Sequence, residues 1–111
     1  MSVTVDPGET IVLDPSDVRV VQFDWDTENL ATSAIISIST FTITAVRQAD
    51  ILASLTKDNP SIFAGNRKTQ VRLIASTASV GDEYELANKV TTNESPTQDK
   101  EQSVRILIQN R

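Results

Sequence analysis

Ser79-Val80-Gly81-Asp82-Glu83, followed by Tyr84-Glu85-Leu86-Ala87-Asn88-Lys89-Val90-Thr91-Thr92, decides the fold. The first five residues are a tight polar corner in which Gly81 and Asp82 supply the turn chemistry. Beyond it Tyr84, Leu86 and Val90 share one face at a period of two, while Glu85, Ala87 and Lys89 share the other. A segment patterned this way is a strand buried on one side, as in an antiparallel sheet with one face on the core.

Other stretches carry the same period. Ile11-Val12-Leu13 follows the turn signal Asp6-Pro7-Gly8, is ended by Asp14-Pro15-Ser16-Asp17, and reads as an edge strand. Val18 to Trp25 places Val21, Phe23 and Trp25 on one face. Thr69 to Ala75 alternates Val71 and Leu73 against Arg72 and Ile74, and Ser103 to Gln109 turns Val104, Ile106 and Ile108 inward. Between these lies AIISISTFTITAV, Ala34 to Val46, whose apolar parity switches from Ile36 and Ile38 to Phe41, Ile43 and Ala45. A straight strand cannot bury both sets, so one extra residue is expected near Ser39-Thr40, as a β-bulge or a crossing between sheets.

Residues 47–67 are the least regular. Ile51, Leu52 and Leu55 fit one helical turn or a distorted edge strand, with Asp58-Asn59-Pro60 interrupting either. Ile62 and Phe63 read as an apolar plug under the turn Ala64-Gly65-Asn66, and residues 93–100 as a polar hairpin loop. About seven short strands and no long helix predict an all-β, immunoglobulin-like antiparallel sandwich, a single domain over residues 1–111. Its predicted core is Phe23, Trp25, Phe41, Tyr84, Leu86, Val90 and Ile106. The Gly-Asp-x-Tyr corner is similar to the tyrosine corner of such sandwiches, in which the hydroxyl caps a backbone carbonyl.

Composition narrows the chemistry. The chain has no Cys and no His, which removes thiol nucleophiles, imidazole bases and the commonest zinc ligands. Ser and Thr are plentiful, but a serine nucleophile needs a base within reach, so no enzyme activity and no cofactor is expected. A formal charge of −5 argues against nucleic acid, whose affinity comes from Lys and Arg displacing counterions. Arg67, Lys68, Arg72, Arg105 and Arg111 could still form a basic stripe facing an acidic partner. Asp24, Asp26 and Glu28 alternate as calcium ligands would, but Asn29 and Ile35 stand where an EF-hand loop has Gly and Glu, so a solvated turn is preferred. Residues 1–10 lack the basic and apolar regions of a signal peptide, and no window approaches the ~20 apolar residues of a membrane span. The expectation is a protein folded in a reducing cytoplasm.

Taken in order, Val21-Gln22-Phe23-Asp24-Trp25, Ile36 to Ile43, Thr69 to Leu73, the Gly81 to Thr92 corner and strand, and Ser103 to Ile106 resemble the small immunoglobulin-like structural proteins of tailed bacteriophages, the fiber-tail adaptor or virion-associated proteins. That family often has tryptophan where Phe41 stands and a glycine-containing hairpin where Glu94-Ser95-Pro96 stands. The resemblance implies a virion protein made in the host bacterial cytoplasm, present in several copies on a symmetric ring. It would dock a fiber or accessory protein to tail, neck or capsid. Ile51, Leu52, Leu55 and Phe63 would be its outward apolar contacts. The competing reading is a stand-alone module binding a carbohydrate or host surface, for which the aromatic content of 5% is low.

Overall fold

The computed structural model describes residues 2–6, 8–25, 34–47, 55–75, 80–94 and 96–109. Eight strands run through them: β1 (Ser2–Val5), β2 (Thr10–Leu13), β3 (Val18–Asp24), β4 (Ile36–Arg47), β5 (Thr56–Phe63), β6 (Lys68–Ile74), β7 (Glu83–Thr92) and β8 (Asp99–Ile108). They build two four-stranded sheets, in the orders β1-β3-β6-β5 and β2-β8-β7-β4, which form the expected all-β sandwich.

Alternation drives this layering. In β7 every second residue from Tyr84 to Thr92 is buried, and in β8 the same holds from Gln102 to Ile108. β3 and β6 contribute Val21, Phe23, Val71 and Leu73 from the facing sheet. Phe23, Trp25, Phe41, Tyr84, Leu86, Val90 and Ile106 are all buried in one cluster. Phe23 and Phe41 meet across the two sheets with ring centroids 6.0 Å apart and a 52° tilt. Burial of this kind stabilises by about 1.5–3 kcal/mol per large side chain.

The start of the chain holds a strand that its sequence hides. Ser2–Val5 has only two apolar residues, yet it pairs in parallel with β3 from Ser2↔Val20 to Val5↔Phe23. A reversal follows, in which the Glu9 amide donates to the Asp6 carbonyl at 3.1 Å and Gly8 takes φ +80°. Only a residue without Cβ holds that conformation cheaply. The reversal carries the chain to the other sheet, where β2 pairs in parallel with β8.

β4 contains the extra residue that its parity requires, but not at Ser39-Thr40. Its pairing with β7 slips at Ser37, between Ile36↔Thr92 and Ile38↔Thr91, and again at Val46. Ile36 is therefore buried while Ile38 faces solvent at 59% exposure. The apolar character of Ile38 disguised an outward position, which displaced the expected bulge by two residues.

Residues 56–63 form a distorted edge strand; of the stretch read as a helical turn or edge strand, only Leu55 lies within the described residues. β5 slips against β6 between Asp58 and Ser61, where Asn59 adopts φ +51°. Leu55, expected to point outward, is buried at 4% exposure and belongs to the core cluster. It immediately precedes an edge strand whose inward side must still be filled. Phe63 is half-buried, and Ile51 and Leu52 lie outside the described residues.

Candidate functional site

Three connections gather at one end of the sandwich. β3 ends there opposite the start of β6, with Asp24↔Lys68, and β7 ends opposite the start of β8, with Thr91↔Asp99. The β3–β4 connection, the β5–β6 turn and the β7–β8 loop therefore share this rim. Hydrogen bonds tie them together. The Arg67 guanidinium donates to the Ala34 carbonyl at 2.6 Å, and the Ile36 amide donates to the Asn66 carbonyl at 2.8 Å. Asn93 clasps the same segment from the other side: its amide donates to the Ile35 carbonyl at 3.0 Å, and its Oδ1 accepts the Ile35 amide at 2.9 Å.

The β5–β6 turn is tightly wound. Ala64, Gly65 and Asn66 have φ of +54°, +70° and +62°, closed by the Arg67 amide on the Phe63 carbonyl at 3.2 Å. Left-handed backbone at Ala64 costs on the order of 1–3 kcal/mol and persists only where surrounding bonds impose it. Gly65 and Asn66 are the residue types that the turn demands; nothing in the sequence marks Ala64 as sharing it. Across the rim Thr92 organises the last loop, its Oγ1 donating to Glu94 Oε1 at 2.9 Å and accepting the Gln98 amide at 3.2 Å.

Beneath the rim lies a buried polar cluster. Trp25 Nε1 donates to Asn88 Oδ1 at 3.0 Å and to Thr69 Oγ1 at 3.2 Å, and the Thr69 hydroxyl also donates to Asn88. Asn88 Nδ2 donates to Ser39 Oγ at 2.9 Å and to the Thr40 carbonyl at 3.1 Å. Trp25 is thus a core residue with a satisfied indole, not an exposed ligand platform. Asn88 was legible only as an even-numbered position on the strand that also buries Leu86 and Val90.

At the opposite end lies the corner, where Tyr84 donates its hydroxyl to the Asp82 carboxylate at 2.9 Å. Asp82, read as a turn residue, is buried at 1% exposure. The sharp turn at Gly81, φ +93°, folds it back under the ring.

The charged candidates scatter. Lys68 lies 3.9 Å from Asp24, Arg72 bonds Asp58 through two nitrogens at 2.6 and 2.7 Å, and Arg105 bonds Glu83 on the other sheet. Together with Arg67 on Ala34, these are separate local pairings, and no basic stripe forms among the described residues. The Arg72 hydrogen bond holds the Asp58 carboxyl below its ordinary pKa, and the same bond raises that of Arg72. Asp26 and Glu28 of the acidic loop, and Arg111, lie outside the described residues. Among those described, no three acidic, His or Cys side chains gather as a metal site.

No protein-family model and no curated relative matches the sequence. The fold does match a solved structure, the crystal structure of the cysteine protease inhibitor EhICP2 from Entamoeba histolytica. The likeness has a TM-score of 0.54 at 12% identity and covers 97% of this chain and 93% of that one. The matched protein is an inhibitor and not an enzyme. This corrects the bacteriophage expectation: the nearly full-length likeness is to a protease inhibitor, not to a tail, neck, fiber or capsid protein. The virion keywords and ring of virion partners fall with it. The residues that carried the earlier resemblance shape a corner and alternating strands, and such residues recur wherever a sandwich folds, whatever its site does.

Proposed function

We propose that this chain is a non-enzymatic inhibitor of a cysteine protease, acting by seating its tied rim against the enzyme. The observation that carries the reading is the fold likeness over 97% of the chain to a protein that is itself such an inhibitor. The rim adds physical support. The described parts of the rim held by Arg67, Asn66 and Asn93 keep their geometry before binding, so little ordering entropy is lost there on contact. A chain without Cys forms no mixed disulfide with a catalytic thiol, and the proposed mode of inhibition is steric occlusion.

The test is a titration of the purified chain into papain-type cysteine proteases with a fluorogenic peptide substrate. The expected result is a dose-dependent fall in rate with one-to-one stoichiometry. Arg67→Ala and Asn93→Ala should each weaken inhibition by roughly tenfold, about 1.4 kcal/mol. Val80→Asp, at the opposite end, should leave it unchanged. Full protease activity at saturating chain, with the chain folded by circular dichroism, would overturn the reading.

A further inference from the structure

The two sheets have four edge strands, and three of them are protected against pairing with another chain. β1 and β2 are each four residues long. β5 carries Lys57, Asp58 and Pro60, and its register slips between Asp58 and Ser61. Short length, charge, proline and bulges are the ordinary defences of an edge. β4 has none of them through its middle. Residues 36–46, ISISTFTITAV, contain no charge, no proline and no glycine. From Ile38 to Ala45 the strand pairs with β7 without a slip, and among the described residues nothing pairs with its other side.

The outward face of this strand is self-complementary. Thr40, Thr42 and Thr44 are exposed, flanked by Ile38 at 59% and Val46 at 48% exposure. Ile38 stands four residues before Thr42, and Val46 four residues after it. In an antiparallel pair centred on Thr42, a second copy places its Thr44 opposite Thr40 and its Thr42 opposite Thr42, and brings its Val46, the bulged residue that ends the regular stretch, against Ile38. Two of the four exposed large apolar residues among those described then cover each other twice over, once on each side of the two-fold axis. Two chains of net charge −5 repel in general, but this strand brings no charge to the axis.

We infer that β4 is a homodimerisation edge at which two copies pair antiparallel about Thr42, joining two four-stranded sheets into one of eight. The partner is a second copy of this chain, because the register that covers Ile38 with Val46 is the symmetric one. The inference is independent of protease inhibition, which uses the rim and not this edge.

Sedimentation of the unmodified chain should give a concentration-dependent mass rising to twice 12.1 kDa. The chain has no native cysteine, so introduced ones report cleanly. Thr42→Cys should form a covalent dimer under mild oxidation, since directly opposed strand residues lie within disulfide reach. Ile38→Cys alone should not, and Ile38→Cys/Val46→Cys should. Ile38→Glu is expected to raise the dimer dissociation constant about tenfold or more, and Ile38→Glu/Val46→Lys to restore most of that loss. A monomer at every concentration overturns the inference. So does a dimer in which Thr42→Cys and Ile38→Cys cross-link equally. Should Ile38→Glu fail to fold, the Thr42→Cys result decides alone.

Discussion

Trp25 and Asn88, from opposite sheets, are joined by a hydrogen bond of 3.0 Å from the indole Nε1 to Oδ1. Asn88 fills its whole hydrogen-bonding capacity, accepting from Trp25 and Thr69 and donating to Ser39 and Thr40. A fully satisfied network in a low-dielectric interior fixes the relative placement of the sheets that carry the rim.

Replacing Asn88 with leucine keeps the branched side-chain skeleton and removes every one of those bonds. The Asn88→Leu chain should lose about 2–4 kcal/mol, since at least two buried partners are left with fewer bonds. A urea melt reads this as a lower midpoint at unchanged slope; an unchanged midpoint would make the cluster dispensable.

Gln102 is the counterpart. It sits opposite Asn88 in the β7–β8 ladder, buried at 6% exposure, and neither its Nε2 nor its Oε1 has a partner among the described residues. Gln102→Leu should therefore stabilise the protein by roughly 1–2 kcal/mol. Destabilisation in the same melt would mean that the amide is bonded in solution.

The Tyr84 hydroxyl tests the corner. Tyr84→Phe leaves the ring in place and takes one donor from the buried Asp82 carboxylate, at an expected cost of about 1–3 kcal/mol. Equal thermal stability of the two proteins would remove the hydroxyl from the account of this turn.

Acid should weaken the Asp58–Arg72 pair. The hydrogen bond from Arg72 depresses the folded-state pKa of Asp58 below 3.8, so its stabilisation is present above the unfolded value and disappears as pH falls through the folded one. Asp58→Asn should then be less stable than the parent at neutral pH, the gap narrowing as pH falls and closing once the pH is below the folded-state pKa of Asp58. Both side chains are well exposed, which keeps the difference small. A gap that widens on acidification would contradict this sign.

The strands that cross the core were readable because period two is a local property: Tyr84, Leu86 and Val90 announce β7 without reference to anything distant. β4 was readable as a bulged strand, since no straight one could bury both Ile36 and Phe41. The position of the slip was not, because Ile38 is as apolar as the residues that point inward. β1 was hidden because Ser-Val-Thr-Val gains its partners only from β3. Leu55 was misplaced because its irregular neighbours give no parity. The rim was the least legible. Arg67 meets Ala34, and Asn93 meets Ile35, across separations that no motif records.

The parallel pairing of β2 with β8 has a kinetic consequence. Thr10–Leu13 wait for a strand that begins at Asp99, and loop closure of that length must precede any gain from the contact. During synthesis β2 has no partner until β8 has emerged, so the sandwich locks late. A topology so weighted toward distant pairs places folding in the slow range of milliseconds to seconds. Until then β4 presents its uncharged edge to every neighbouring nascent chain.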